Sequence, residues 1–206
     1  MKLIGMLDSP YVRRTAITLQ LLGLDFAHEA LSVFRTFEAF RAINPVVKAP
    51  TLVCDDGTVL MDSTLIIDWA EARAGRSLMP AALPARQAAL RGVGLALAAC
   101  EKAVQLVYER ELRPADKRHG VWVERVTGQL LAALGELEAE LRRAPPDVAA
   151  IDQAGLTTAV TWFFVQDMVP GVAAPDAYPL LTAWSAAAEQ LPAFRAAPHG
   201  VGVVQR

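Results

Sequence analysis

Three short stretches of this 206-residue chain combine residue types that could hold and activate a small ligand. The first is Ser9-Pro10-Tyr11-Val12-Arg13-Arg14, directly after an apolar run. Serine is a preferred N-cap and proline a preferred first helical residue, so the pair predicts a helix start. A helix start offers unpaired N–H groups and about half a positive charge, which stabilise an anion placed there. Serine cannot supply a thiolate, but its hydroxyl can donate a hydrogen bond to a sulfur that a ligand brings. The second stretch, Asn44 to Leu52, places Ala49-Pro50 immediately before a strand. The third is Asp62-Ser63, with Ser63 expected to cap another helix. Its free amides can hold a carboxylate, and Asp62 can hold an ammonium group. A carboxylate and an ammonium on one carbon is an α-amino acid. Taken singly, each stretch also reads as plain architecture: two capped helices and a strand-opening proline.

The elements that must position these residues follow from the hydrophobic pattern. Leu3–Leu7 is a short apolar run suited to a buried strand, and Val12, Ala16 and Leu19 then recur at helical spacing up to Gly23. Phe26–Leu31 predicts a second strand and Phe37–Ile43 a short helix that must stop before Pro45. Thr51–Cys54 and Val59–Met61 flank Asp56-Gly57, a pair suited to a hairpin turn with positive φ at both central positions. A helix from Ser63 to about Ala74 completes the order βαβαββα, a thioredoxin-like α+β domain over residues 1–76. Pro80 and Pro84 lie in a linker, 77–84, and beyond it strand signals vanish. Long helical patterns over Ala85–Leu112, Val121–Arg143 and Gln153–Met168, then Ala177–Gln190 and Leu191–Ala197, predict an all-α domain over 85–206.

Composition narrows the class. The chain is 53% hydrophobic and 20% charged with a formal net charge of -2, and the signs are interspersed. No basic stripe calls for nucleic acid and no polybasic tail for a membrane surface. The apolar runs fall short of the ~18 residues of a membrane span. Cys54 and Cys100 share no redox or metal spacing, and His28, His119 and His199 are scattered, so no metal site is expected. A cytoplasmic setting is the expectation. Trp69, Trp122, Trp162 and Trp184 fall on apolar helix faces and are expected in the core, whereas Glu136, Glu138 and Glu140, with Arg142 and Arg143, read as a solvated face.

The three stretches, in this order and with this helical half behind them, resemble the serine-type cytosolic glutathione transferases, especially bacterial ones. The tail from Tyr178-Pro179-Leu180-Leu181 through Trp184 to Leu191-Pro192-Ala193-Phe194 is similar to that family's closing helices, so the likeness covers essentially the whole chain. The resemblance implies a role for each matching position. Ser9 matches the catalytic hydroxyl that stabilises the glutathione thiolate. Ala49 matches the residue whose backbone pairs with the cysteinyl unit, beside a cis Pro50. Asp62 and Ser63 match the pair that binds the γ-glutamyl group, and Lys48 and Arg35 would approach the glycyl carboxylate. The electrophile would sit between the Leu7–Tyr11 loop and the first long helices, with Tyr11 and Tyr108 as candidate contacts, core packing being the other role for Tyr108. The implied cosubstrate is glutathione, the implied partner a small hydrophobic electrophile, and the implied assembly a homodimer.

The chain also departs from the family pattern. The usual Glu before the serine is Asp62, one methylene shorter. The usual capping box of the helix near 153 reads Asp152-Gln153-Ala154-Gly155, in which Gly155 cannot return the reciprocal bond. Ser9-Pro10-Tyr11-Val12 stands where glutaredoxin-like proteins place Cys-Pro-Tyr-Cys, so dithiol chemistry is not expected. Nor does it match the serine- and cysteine-bearing motif of the maleylacetoacetate-isomerase relatives. Isomerisation and dehalogenation remain open as other glutathione-dependent reactions. A different class, a transferase-fold binding or regulatory protein like the starvation proteins that bind RNA polymerase, is the alternative.

Overall fold

A computed structural model describes residues 1–205, and the final residue of the stretch expected over 85–206 lies outside the described residues. The chain divides into two compact units, Met1–Leu78 with the tail from Gln190, and Met79–Glu189.

In the first unit the order is β1 (Lys2–Ile4), α1 (Pro10–Leu21), β2 (Ala27–Glu29), α2 (Phe37–Ile43), β3 (Thr51–Val53), β4 (Val59–Met61) and α3 (Ser63–Ala74). This is the expected βαβαββα arrangement. The strands lie in the order β2-β1-β3-β4. β1 runs parallel to β2 and antiparallel to β3, with Leu3 opposite His28 on one side and Leu52 on the other. Leu3, Ile4 and Leu52 are fully buried, together with Val12, Ala16 and Leu19 of α1 and Ile66 and Ala70 of α3. β1 stops at Ile4 rather than Leu7: Gly5 still donates to Glu29 O at 3.1 Å but turns to φ 135°, which ends the extended run. The hairpin also differs from expectation: only Gly57, at φ 85°, has positive φ. Its N–H donates to Cys54 O and Thr58 N–H to Asp56 Oδ1, at 3.0 and 2.9 Å. The aspartate side chain thus closes the turn locally instead of adopting the left-handed conformation.

The tail does not end the helical half as a continuation of it. A last helix, Pro192–Ala196, packs on α1, burying Phe194 and Ala197. Arg13, itself buried, donates from Nε to Ala197 O at 2.9 Å, and Gln20 donates to Ala193 O at 3.2 Å.

The second unit is helical throughout: α4 (Leu83–Glu111), α5 (Gly120–Arg143), α6 (Gln153–Met168) and α7 (Pro179–Ala188), which make Pro192–Ala196 α8. The alanine bias has a packing reason. Ala96, Ala99, Cys100 and Ala103 form the buried face of α4, and Gly92 meets Ala154 of α6 so closely that an added Cβ would lie 3.2 Å away. Val126, Leu130, Leu134 and Leu137 of α5 cover another side of α4. Trp162 and Trp184 are core residues as expected, but Trp69 is half-buried and Trp122 is exposed, one turn ahead of Val126, where the buried stripe of α5 begins. Glu138 also departs from the expected solvated face. It is buried, and its carboxylate accepts the N–H groups of Leu180 and Leu181 at the start of α7, at 3.1 and 2.9 Å.

Candidate functional site

The loop from β1 to α1 is shaped by one missing side chain. A Cβ on Gly5 would lie 2.6 Å from Val12 Cγ2 and 3.2 Å from Ala49 Cβ. Glycine therefore lets the strand exit press against both the first turn of α1 and the Ala49 loop. Ser9 then caps α1, with its backbone extended at φ −75° and ψ 124° and its Oγ accepting the Val12 N–H at 3.4 Å. Accepting there leaves the Ser9 O–H to donate. The 12-residue α1 behind it, opened by Pro10, aims its positive end at the same place.

The Ala49–Pro50 peptide is cis, with Pro50 buried and Ala49 half-buried. Two residues not singled out from the sequence hold this loop. Asn44 is buried and donates from Nδ2 to Thr51 Oγ1 at 2.8 Å, and its Oδ1 accepts the Val46 N–H at 3.0 Å. Thr51 in turn donates to Lys48 O at 2.7 Å. The signal that could have found them is the asparagine before Pro45, a residue type that bonds its own backbone two positions on. The Lys48 side chain is exposed.

At α3 the cap is Asp62, not Ser63 as expected. Asp62 stands at φ 72° and accepts the Thr64 N–H at 2.8 Å, whereas Ser63 is already helical. A capping residue must have a non-helical backbone, and only Asp62 does. Ser63 is buried and accepts from Arg14 Nη1 at 3.0 Å, and Arg14 also reaches Thr64 Oγ1 at 3.3 Å. The buried Arg14, which the sequence does not mark as special, therefore fastens α1 to the start of α3. The positive φ of Asp62 is sparsely populated for a non-glycine residue, and such positions cluster at functional sites.

Further charged groups meet at the start of α1. Arg35, exposed in the loop before α2, points Nη2 at Met6 Sδ, 3.4 Å away, and Met6 O accepts the Ser9 N–H. Burial pushes the Asp8 carboxyl above its ordinary range, against the pull of His199 and Arg35 and of hydrogen bonds from the backbone of Ser9 and Asp8. Burial also depresses the His28 imidazole, which bonds Gly5 O through Nε2 at 2.7 Å. Its Nδ1 accepts the Val204 N–H at 3.0 Å, so Nε2 carries the hydrogen.

Within the first unit, then, Ser9, Ala49, Pro50 and Arg35 gather around the β1 exit, and Arg14 ties Ser63 and Thr64, the residues next to Asp62, to the same helix. Tyr11 is half-buried on the first turn of α1. Tyr108 belongs to the second unit and is 45% exposed on α4, which rules out the core-packing role. Among the described residues, no group of three or more His, Cys, Asp or Glu side chains is placed to hold a metal ion. No helix there is long and apolar enough to cross a membrane.

Comparison with known proteins adds to this geometry. The family of glutathione S-transferase N-terminal domains matches residues 3–78. A maleylacetoacetate isomerase of Pseudomonas aeruginosa is 31% identical over 147 residues, 66% of this chain and 69% of the isomerase. A glutathione transferase family member from Pseudomonas fluorescens, solved with bound glutathione, superimposes with a TM-score of 0.84 at 28% identity. That match covers 97% of this chain and 99% of the other. A second structure from that organism holds S-(propanoic acid)-glutathione and matches with a TM-score of 0.82, also at 28% identity, over 95% and 97% of the two chains.

Proposed function

Since the chain belongs to the glutathione transferase family, we propose that it is a serine-type enzyme that activates glutathione for attack on a small hydrophobic electrophile. The observation behind this reading is the Ser9 hydroxyl, free to donate at the positive end of α1 and pressed through Gly5 against Ala49. Glutathione lies along the first unit, whose domain we take as residues 1–76, and the expected linker, 77–84, is shortened because α4 already begins at Leu83. Its sulfur sits beside Ser9. The main chain of Ala49, next to Pro50, pairs with the cysteinyl unit as an added strand would. The γ-glutamyl carboxylate meets Ser63 and the amides of α3, and its ammonium group meets Asp62. Lys48 and Arg35 face the glycyl carboxylate.

In the reaction the thiol proton leaves to solvent, and the Ser9 O–H and the α1 dipole stabilise the thiolate that remains. The sulfur lone pair then forms a bond to the electrophilic carbon, and the leaving group departs with its electron pair. Tyr11 and Tyr108 are the proposed contacts for the electrophile, each to be tested by its own phenylalanine variant.

The test is calorimetry with glutathione, followed by initial rates with 1-chloro-2,4-dinitrobenzene. Ser9→Ala is expected to lower turnover by roughly 10²–10³-fold with glutathione affinity nearly unchanged. An undiminished rate would remove Ser9 from the mechanism.

The match to the isomerase favours a second reading, in which the thiolate adds to a maleyl-type double bond and later leaves again. Product formation with no net loss of glutathione would identify it. The non-catalytic alternative is not favoured, since Ser9, Ala49, Pro50, Asp62 and Ser63 are all retained in the sequence. We also propose a homodimer, because Phe34, Val46 and Leu65 of the first unit and Leu83, Leu90 and Val121 of the second expose large apolar side chains. Cys54 and Cys100 are buried and not joined in a disulfide, which supports a reducing, cytoplasmic setting that cell fractionation would check.

A further inference from the structure

At the exit of β1 the Gly5 N–H donates to Glu29 O of β2 at 3.1 Å. A parallel ladder would next pair Gly5 O with the Leu31 N–H. Leu31 instead donates to Glu29 O at 2.9 Å, so that partner is withdrawn. Gly5 is buried, and a buried carbonyl left unpaired costs about as much as a lost hydrogen bond. The His28 imidazole of β2 takes the vacated role, with Nε2 at 2.7 Å from Gly5 O.

That imidazole is set from its other side by the tail. The Val204 N–H donates to His28 Nδ1 at 3.0 Å, which keeps the ring hydrogen on Nε2, the atom facing Gly5 O. The adjacent Gln205 N–H donates to Ala196 O of α8 at 2.7 Å, and Arg13 of α1 donates to Ala197 O at 2.9 Å. These bonds run in a circuit: α1 holds α8, α8 holds the tail, the tail orients His28, and His28 holds Gly5. Gly5 closes the circuit on α1, because its missing Cβ lets it press on Val12, and it presses on Ala49 as well.

Resting on the reading that glutathione binds along Ser9 and Ala49, we propose that His28 is a positioning residue for that site. The tail, by fixing the His28 tautomer, tightens glutathione binding. Gly5 stands at φ 135°, and glycine has many other conformations open to it, so its own backbone preference does not hold it there. The His28 bond selects one of them. In that conformation Gly5 packs against Val12, whose N–H is capped by Ser9, and against Ala49, whose main chain is to pair with the cysteinyl unit. Without the bond, glutathione must first restore this arrangement, and its apparent affinity drops with the fraction of molecules already competent to bind. His28 acts through Gly5 and not on the sulfur, so KM for glutathione moves while kcat at saturation stays.

The test compares His28→Asn, His28→Gln and Val204→Pro with the unmodified protein, by glutathione calorimetry and by turnover at saturating glutathione. Asparagine can still accept the Val204 N–H but is too short to reach Gly5 O, whereas the longer glutamine can place an amide N–H there. His28→Asn is expected to weaken glutathione binding roughly tenfold, as for an acceptor left unpaired, with saturated turnover held within about twofold. His28→Gln is expected to recover most of that affinity, a rescue that a merely structural role would not produce. Val204→Pro removes the donor of the tail and is expected to weaken binding by less than His28→Asn does. Nitrogen NMR of the unmodified protein is expected to show His28 protonated at Nε2, and protonation at Nδ1 instead would overturn the proposal. So would glutathione binding by His28→Asn as tight as that of the unmodified protein, or an equal loss in His28→Gln. Unchanged affinity in Val204→Pro would overturn the part given to the tail. Failure of the unmodified protein to bind glutathione would overturn the proposed function and, with it, this inference.

Discussion

Asp8 and Gly155 show how a single residue can answer to something outside its own element. Because burial raises the Asp8 carboxyl, its contribution to stability is present at low pH and lost as pH rises through the folded-state value. At neutral pH the ionised group is therefore a net cost, and Asp8→Asn is expected to raise the thermal midpoint there. The same pair should converge in acid, which thermal scans at two pH values would show. Gly155 breaks the expected reciprocal capping box at α6, although Asp152 still caps the helix by accepting the Gly155 N–H at 2.7 Å. The reason lies in α7. Trp184 donates from Nε1 to Gly155 O at 2.9 Å, and its Cζ2 would stand 2.7 Å from any Cβ at 155. Gly155→Asp would restore the box and still lose about 1–3 kcal/mol through overpacking, as measured by urea denaturation.

At the scale of elements, one helix and the C-terminal tail depend on charged or titratable groups remote in sequence. α7 begins on the buried Glu138 carboxylate of α5, which accepts two of its first N–H groups. Glu138→Ala leaves them unpaired and is expected to destabilise the protein by about 3 kcal/mol, readable from the denaturation midpoint. The tail after α8 depends on neutral His28. Its folded-state value is depressed, so between that value and about 6.5 the unfolded chain binds more protons than the folded one. His28 thus contributes stability that is complete above about pH 6.5 and is lost as pH falls through the folded-state value. Protonation at Nδ1 would also set an N–H against the Val204 N–H. Stability is expected to fall across that window and hydrogen exchange at Val204 to accelerate, with His28→Asn flattening both.

For the whole molecule, the exposed apolar side chains on each unit make association the main remaining expectation. A homodimer predicts a thermal midpoint that climbs with protein concentration, and a midpoint independent of concentration would refute it. Much of the architecture was legible in local pattern. Phe37–Ile43, Val59–Met61, Ser63–Ala74 and Gln153–Met168 form where alternation, periodicity, prolines and caps mark them. Such signals act over a few residues and need no distant partner. Ser9 and Ala49-Pro50 could be found in the same way, since each sits at an element end that its own residue types announce. Other features could not. Arg14 and Asn44 look like ordinary polar residues until Ser63 and Thr51 close on them, and Glu138 looks solvated until α7 arrives. The return of α8 to α1, where Arg13 bonds Ala197 O, joins residues nearly the whole chain apart. The sequence by itself therefore determined where elements begin, which faces are apolar and which ends could hold a ligand. Only the tertiary structure decided which polar groups are buried and what pairs them. Burial and pairing depend on what packs alongside, and no local pattern contains that.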